Sequence, residues 1–184
     1  MSWIQTYTGR KFHPLTPRAS EVDLRDIAHA LSLKCRFGGH CRTFYSVAEH
    51  SVRVARLLEP KGRDLAIWGL MHDAGEAYLA DVGRPIKPFL QLRAEDGGEG
   101  VKTFDAIEDE VLAAVAEALG FPRIDYEAVR EADNVLLATE ARDLMSKPPE
   151  AWNLGVEPLA LKIVPWKARD AEKMFLGTWN QLKG

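Results

Sequence analysis

The chain has 184 residues, 46% of them hydrophobic and 28% charged, with a net charge of −3. A chain of this length buries roughly 70% of its unfolded surface, and its composition is globular rather than disordered, collagenous or coiled-coil. The mild acidity argues against a broad surface for duplex nucleic acid, though a small anion held by a few local cations stays open.

No apolar run approaches the roughly 18 residues of a membrane-spanning helix. The first segment, MSWIQTYTGRKF, lacks the apolar stretch of a secretion signal, so a cytoplasmic location is expected. Residues 3–14 alternate around Thr8-Gly9 and predict a small hairpin. A short helix follows from Asp23 to Leu33, and Cys35-Arg36-Phe37-Gly38-Gly39-His40 reads as a loop. Cys35 and Cys41 lack the usual zinc spacing and read as reduced structural thiols. Ser46 with Glu49 forms a capping box that opens a helix over about 47–59. A second long helix is expected over 63–80, broken by the Gly83 and Pro85 region. Residues 91–100 are polar and glycine-rich, a lid candidate. Further helices are expected over 101–119, ending at Gly120, over 126–146, ending at Pro148-Pro149, and over 168–182.

Helical phase turns several ionisable groups inward. The first stripe, Val47, Ser51, Val54 and Leu58, takes in His50. The next, Leu65, Trp68, Gly69 and Leu79, carries His72 and Glu76, with Asp73 at its edge. The third, Val129, Leu136, Leu137 and Leu144, carries Asp133 and Glu140. One buried histidine is ordinarily a hydrogen-bonded core residue. Ionisable groups stand on all three apolar stripes, and the carboxylates among them, without matching lysines or arginines, are costly unless a cation compensates them. Two imidazoles and two carboxylates suit a divalent first-row ion such as Mn, Co, Fe, Ni or Zn. His13 and His29 read as structural, and the five tryptophans as core or interface aromatics.

The ordered segments Tyr45-Ser-Val-Ala-Glu-His-Ser51, Gly69-Leu-Met-His-Asp-Ala-Gly-Glu-Ala77 and Glu131-Ala-Asp133 resemble the HD-domain metal-dependent phosphohydrolase superfamily. Within it the chain looks most like small single-domain nucleotidases, both bacterial 5′-deoxynucleotidases and phage-type dATP triphosphohydrolases. Tyr7-Thr-Gly-Arg-Lys-Phe12, Asp26-Ile-Ala-His-Ala-Leu31 and Cys35-Arg-Phe-Gly-Gly39 favour the second group. The likeness covers roughly residues 5–146. It implies a compact all-α HD bundle with a small N-terminal hairpin, one domain over 1–184, and a metal-site core at about 20–146. It implies one divalent ion (Mn, Co, Mg, Fe, Ni or Zn) on His50, His72, Asp73 and Asp133. Glu76 and Asp81 would be the catalytic carboxylates and Arg36 a phosphate contact.

The expected reaction is attack of a metal-activated water on the α-phosphorus of a deoxynucleoside triphosphate, releasing nucleoside and triphosphate. A 5′-deoxynucleotidase acting on monophosphates is the alternative, and a non-catalytic nucleotide or metal sensor is a second one. Lys87 and Arg130 join Arg36 as candidate phosphate contacts, with Arg84 a further cation. Phe37 either stacks on a base or packs in the core, Gly39 leaves room near it, and His40 reads as structural ahead of a contact to sugar or phosphate. The partner is then a small nucleotide, with no duplex nucleic acid and no membrane. The likeness and the aromatic C-terminal segment leave room for a homo-oligomer.

Overall fold

A computed structural model describes residues 3–93, 101–122 and 126–184. Ile4–Gln5 (β1) and Lys11–Phe12 (β2) pair antiparallel. The turn between them closes with Gly9 at φ +82°, and the Thr8 N–H and hydroxyl both donate to Asp26, at 2.6 and 2.9 Å. Asp26 sits on the first helix, α1 (Leu24–Leu33), whose start is capped by Asp23 accepting from the Arg25 N–H. The hairpin is thereby pinned to the helical body.

The second helix, α2 (Val47–Leu58), is the central element. It packs against α1, α3 (Arg63–Met71), α5 (Tyr126–Leu144) and α6 (Ala168–Lys183). Its Val47, Val52, Val54 and Leu58 are fully buried against Ile67, Trp68 and Leu70 of α3 and Phe175 of α6. Burying such side chains contributes about 1.5–3 kcal/mol each. At Gly69, α3 lies tight against α2. A Cβ there would stand 2.6 Å from Leu58 Cδ1 and 3.2 Å from Val54 Cγ1.

Half of the capping box forms. The Glu49 N–H donates to Ser46 Oγ at 3.1 Å, but the Glu49 carboxylate does not reach back. It accepts from Arg53 at 2.7 Å and from the Trp166 N–H at 2.7 Å, drawing the segment before α6 onto α2.

The helix expected over 63–80 stops at Met71, followed by one 3-10 turn at Ala74–Ala77. The break has a local cause. The His72 ring bonds the Gly69 carbonyl at 2.7 Å, the acceptor that a continued helix would offer to the Asp73 N–H.

Gln91–Arg93 (β3) and Val101–Thr103 (β4) pair antiparallel, so the helix expected from 101 begins three residues later, at α4 (Phe104–Leu119). Thr103 caps it by accepting from the Ala106 N–H, and Gly120 ends it at φ +65°. Residues 94–100 of the expected lid lie outside the described residues. The architecture is therefore mostly helical, with six helices and two small hairpins among the described residues. None of those helices is long and apolar enough to cross a membrane.

Candidate metal centre

His50 lies in the first turn of α2 and is fully buried. Its Nδ1 is 2.7 Å from Glu140 Oε1, on α5. Glu140 is held below the usual carboxylate range: burial opposes this, and Arg36 and His50 override it. An ionised carboxylate only accepts, so Nδ1 carries a hydrogen and Nε2 is the nitrogen turned to the site. The same logic fixes His72, whose Nδ1 faces the Gly69 carbonyl at 2.7 Å.

The two Nε2 atoms face each other at 3.4 Å. With both Nδ1 atoms engaged, these two nitrogens and the carboxylate beside them are arranged around one positive charge, a proton on His50 or a metal ion. Asp133 Oδ1 completes the group, 3.2 Å from His50 Nε2. Ligand atoms of His50, His72 and Asp133 all lie within 4.8 Å of one another, so these three residues could hold a metal ion. Asp73 stands against both rings, 3.2 Å from His72 Nε2 and 3.6 Å from His50 Nε2. Its Oδ2 also faces Arg36 at 3.5 Å.

The electrostatics of these residues fit a cation. Burial and Arg36 both pull the His50 pKa down, yet Glu140 and Asp133 override them and raise it to about 9. Asp133 is held well below the ordinary range: burial opposes, and the hydrogen bond and charge of His50 prevail. A positive charge is therefore favoured at this point, whether proton or metal.

Glu76 closes one side, on the turn after α3. It is buried, and its Oε2 has no hydrogen-bond partner among the described residues. Burial first, then the nearby charges of Asp73 and Asp81, push its pKa well up. Asp81 is also raised, chiefly by burial. Glu76 is thus a proton-holding carboxyl at the edge of the cation site.

The chain is 32% identical to the uncharacterized protein YfdR of Escherichia coli K12 over 185 residues, which span 99% of this chain and 96% of the relative. The chain belongs to the YfdR family. An uncharacterized protein of Rhodobacter capsulatus is 29% identical over 153 residues, 78% of this chain and 73% of its own. No family profile matches the chain.

In this YfdR-family protein the other expected site residues divide. Arg36 is at the centre but already engaged: its Nε is 3.2 Å from Glu140 Oε2 and its NH1 faces Asp73. Lys87 grips both Glu108 carboxylate oxygens at 2.9 Å, close enough to Glu76 and Asp73 to be raised by their charges as well. Arg130 does not join them. It is exposed on α5 and pairs with Glu127 at 3.1 Å, one helical turn away. Arg84 does join, donating to Asp133 Oδ2 and to Asn134 Oδ1, at the rim.

Phe37 is held at φ +56°, with the Arg36 guanidinium 5.4 Å from its ring centroid. Gly39 is exposed at φ +85°, and a Cβ there would meet nothing within 4 Å. His40 is exposed. His13 bonds Glu21 at 2.8 Å, and His29 stacks on Tyr7 and faces Glu172 at 3.3 Å. Cys35 and Cys41 are free, and Cys41 bonds the Arg36 carbonyl while burial raises its pKa to about 12.

Two residues at the site were given no role by sequence. Glu140 orients His50 and anchors Arg36; its signal was an inward place two turns beyond Asp133. Lys34, at the end of α1, donates from Nζ to the Glu76 carbonyl, and burial lowers its pKa. Nothing in its local sequence marks it.

Proposed function

We propose that this protein is a metal-dependent phosphohydrolase of the HD type, acting on deoxynucleotides, with a deoxynucleoside triphosphate as the favoured substrate. The observation that carries this reading is the convergence of His50 Nε2, His72 Nε2 and Asp133 on one point, with the buried Glu76 carboxyl, its Oε2 without a partner among the described residues, on the turn that follows α3. His50, His72 and Asp133 would hold one divalent ion (Mn, Co, Mg, Fe, Ni or Zn), with Asp73 adjacent. Bound there, the ion would supply Lewis acidity toward a phosphoryl oxygen and an attacking water.

The chain's own residues do the rest. Glu140 and the Gly69 carbonyl hold both Nδ1 atoms as donors, so Nε2 of each ring is the atom left to give its electrons to the ion once the His50 proton is displaced. Glu76 holds a proton at its carboxyl for the leaving 5′ oxygen as the bond from phosphorus to that oxygen breaks. Asp81 takes up the proton that water gives as its oxygen bonds phosphorus. Lys87 and Arg84, each now on a carboxylate at the rim, are the cations for the phosphate chain, with Arg36 behind them. Several cations around one site favour a triphosphate over a monophosphate. Phe37, beside Arg36, offers a ring face to the base.

The test is product analysis with Mn or Co on a panel of deoxynucleoside mono- and triphosphates. Free triphosphate and nucleoside support the reading as stated. Orthophosphate from monophosphates alone assigns the protein to the 5′-deoxynucleotidases. Inert nucleotides across all metals refute it, and tight nucleotide binding without turnover points to a sensor. Asp73→Ala is expected to abolish metal binding, and Glu76→Gln to keep the metal but lose turnover.

A further inference from the structure

The segment after α5 encloses a groove that the chemistry above does not use. Its floor is the α5 face carrying Ala138 and Ala141, with Met145 just past the helix end, and Trp152 forms part of its wall. The cavity measures about 400 Å³, within the roughly 300–1,000 Å³ of small-molecule sites. Asn153 at φ +48° and Gly155 at φ +70° bend the chain around it. A non-glycine residue in that region is uncommon and needs local support. Trp152 is 43% exposed, an aromatic surface open to stacking.

The charges lining the groove say what it would accept. Its one cation is Arg142, which is already committed. That guanidinium donates to both Asp143 oxygens at 2.8 and 2.9 Å, to the Leu159 carbonyl at 2.6 Å and to the Leu161 carbonyl at 2.7 Å. The other polar side chains are Ser146, Asn153 and the acid Glu157. A phosphate finds no free cation there. A neutral heteroaromatic finds a ring face and hydrogen-bonding groups for its edge.

The groove also touches the metal centre through a short chain of contacts. Trp152 packs on Phe37, ring centroids 6.0 Å apart and tilted by 49°. Phe37 lies under Arg36, and Arg36 continues to Glu140 and Asp73. Trp152 is thus two contacts away from Arg36, the residue that shares Glu140 with His50.

We propose that this groove is a second ligand site, for a neutral heteroaromatic of nucleoside size, and that its occupancy is coupled to the His50–His72–Asp133 centre through Trp152, Phe37 and Arg36. Such a ligand has the chemistry of the uncharged product of nucleotide hydrolysis, and that identification rests on the function proposed above. The groove and its contacts stand apart from it.

The experiment is calorimetric titration of the metal-free full-length protein with the four deoxynucleosides and with their monophosphates. It is repeated on Trp152→Ala and on Ala141→Leu, which fills the groove while keeping the Trp152–Phe37 contact. Melting curves confirm that each variant is folded. Expected are saturable binding of at least one nucleoside, weaker binding of its monophosphate, and roughly tenfold weaker binding in either variant, as for loss of a base–aromatic stack. Bound nucleoside should also shift the Mn affinity of the wild type and leave that of Ala141→Leu unchanged, by linkage. Absence of nucleoside binding, or unchanged binding in a folded Ala141→Leu, overturns the site. Binding without a shift in Mn affinity overturns the coupling. None of these readouts needs turnover, so a protein inert toward all nucleotides refutes the proposed function without deciding this one.

Discussion

Replacing Glu140 by leucine should be among the most damaging single changes in the protein. Glu140 is fully buried and serves two partners, the His50 Nδ1–H at 2.7 Å and Arg36 Nε at 3.2 Å. Without it the buried guanidinium keeps only Asp73 Oδ2, at 3.5 Å, among the carboxylates it now touches. Removing one member of a buried pair costs about 3–5 kcal/mol, and a buried N–H left without an acceptor adds about 1–3 kcal/mol. Each kcal/mol moves the melting midpoint by about 2–4 °C in a chain of this size, so a fall of roughly 10–20 °C is expected. The assay is thermal unfolding followed by circular dichroism, with chelator present so that metal affinity does not contribute. Glu140→Gln keeps an oxygen for His50 and should lose about half as much. The double variant Arg36→Met/Glu140→Leu should recover much of the loss, because an apolar pair of similar volume leaves no buried charge unmatched. If Glu140→Leu melts within about 2 °C of the wild type, the network does not hold α2 to α5 and the reasoning fails.

Further outcomes are expected from metal, pH and packing. A divalent ion at one hundred times its dissociation constant should stabilise the fold by about 2.7 kcal/mol, seen as a raised melting midpoint with Mn against chelator. His72→Ala should remove that difference, and a persisting difference would place the ion elsewhere. Asp143 is held below the ordinary aspartate value of 3.8, first by its hydrogen bond with Arg142, then against burial by the Ile163 N–H. A lowered folded pKa means its stabilisation is complete above 3.8 and is lost as pH falls through the folded value. The midpoint gap between wild type and Asp143→Asn should therefore be constant at neutral pH and close on acidification; a gap that widens in acid contradicts the assignment. Gly69→Val should cost about 3 kcal/mol by overpacking against Leu58 and Val54, read by denaturant titration, and an unchanged midpoint would mean that α2 and α3 can separate freely.

Helical phase, read from sequence, turns His50, His72 and Asp133 toward the interior, and the structure brings those three side chains together. Phase gives a direction and not a partner. It placed Glu140 inward without revealing that His50 and Arg36 would share it. Arg36 illustrates the same limit. Its charge reads as available in a glycine-flanked loop, whereas the fold sets it against Glu140 and Asp73. Arg130 errs the other way: it lies one turn before Asp133, yet its long side chain stays in solvent and turns back to Glu127. The break after Met71 was hidden because its cause is a ring-to-carbonyl bond within one turn, which leaves the apolar stripe intact. The second hairpin was missed because the strands are three residues long and β4 is exposed throughout, with no alternating pattern to read.

The bond between His50 and Glu140 spans ninety positions of the chain. During synthesis, at roughly 5–20 residues per second, α2 and α3 emerge long before α5. The imidazoles of a nascent chain have neither their orienting carboxylate nor the Asp133 oxygen until nearly three quarters of the protein has been made. Truncated products ending before α5 cannot assemble the three-residue cation site, however well their early helices pack. Metal loading would then report on a finished chain, and fragments released prematurely would compete poorly for the ion.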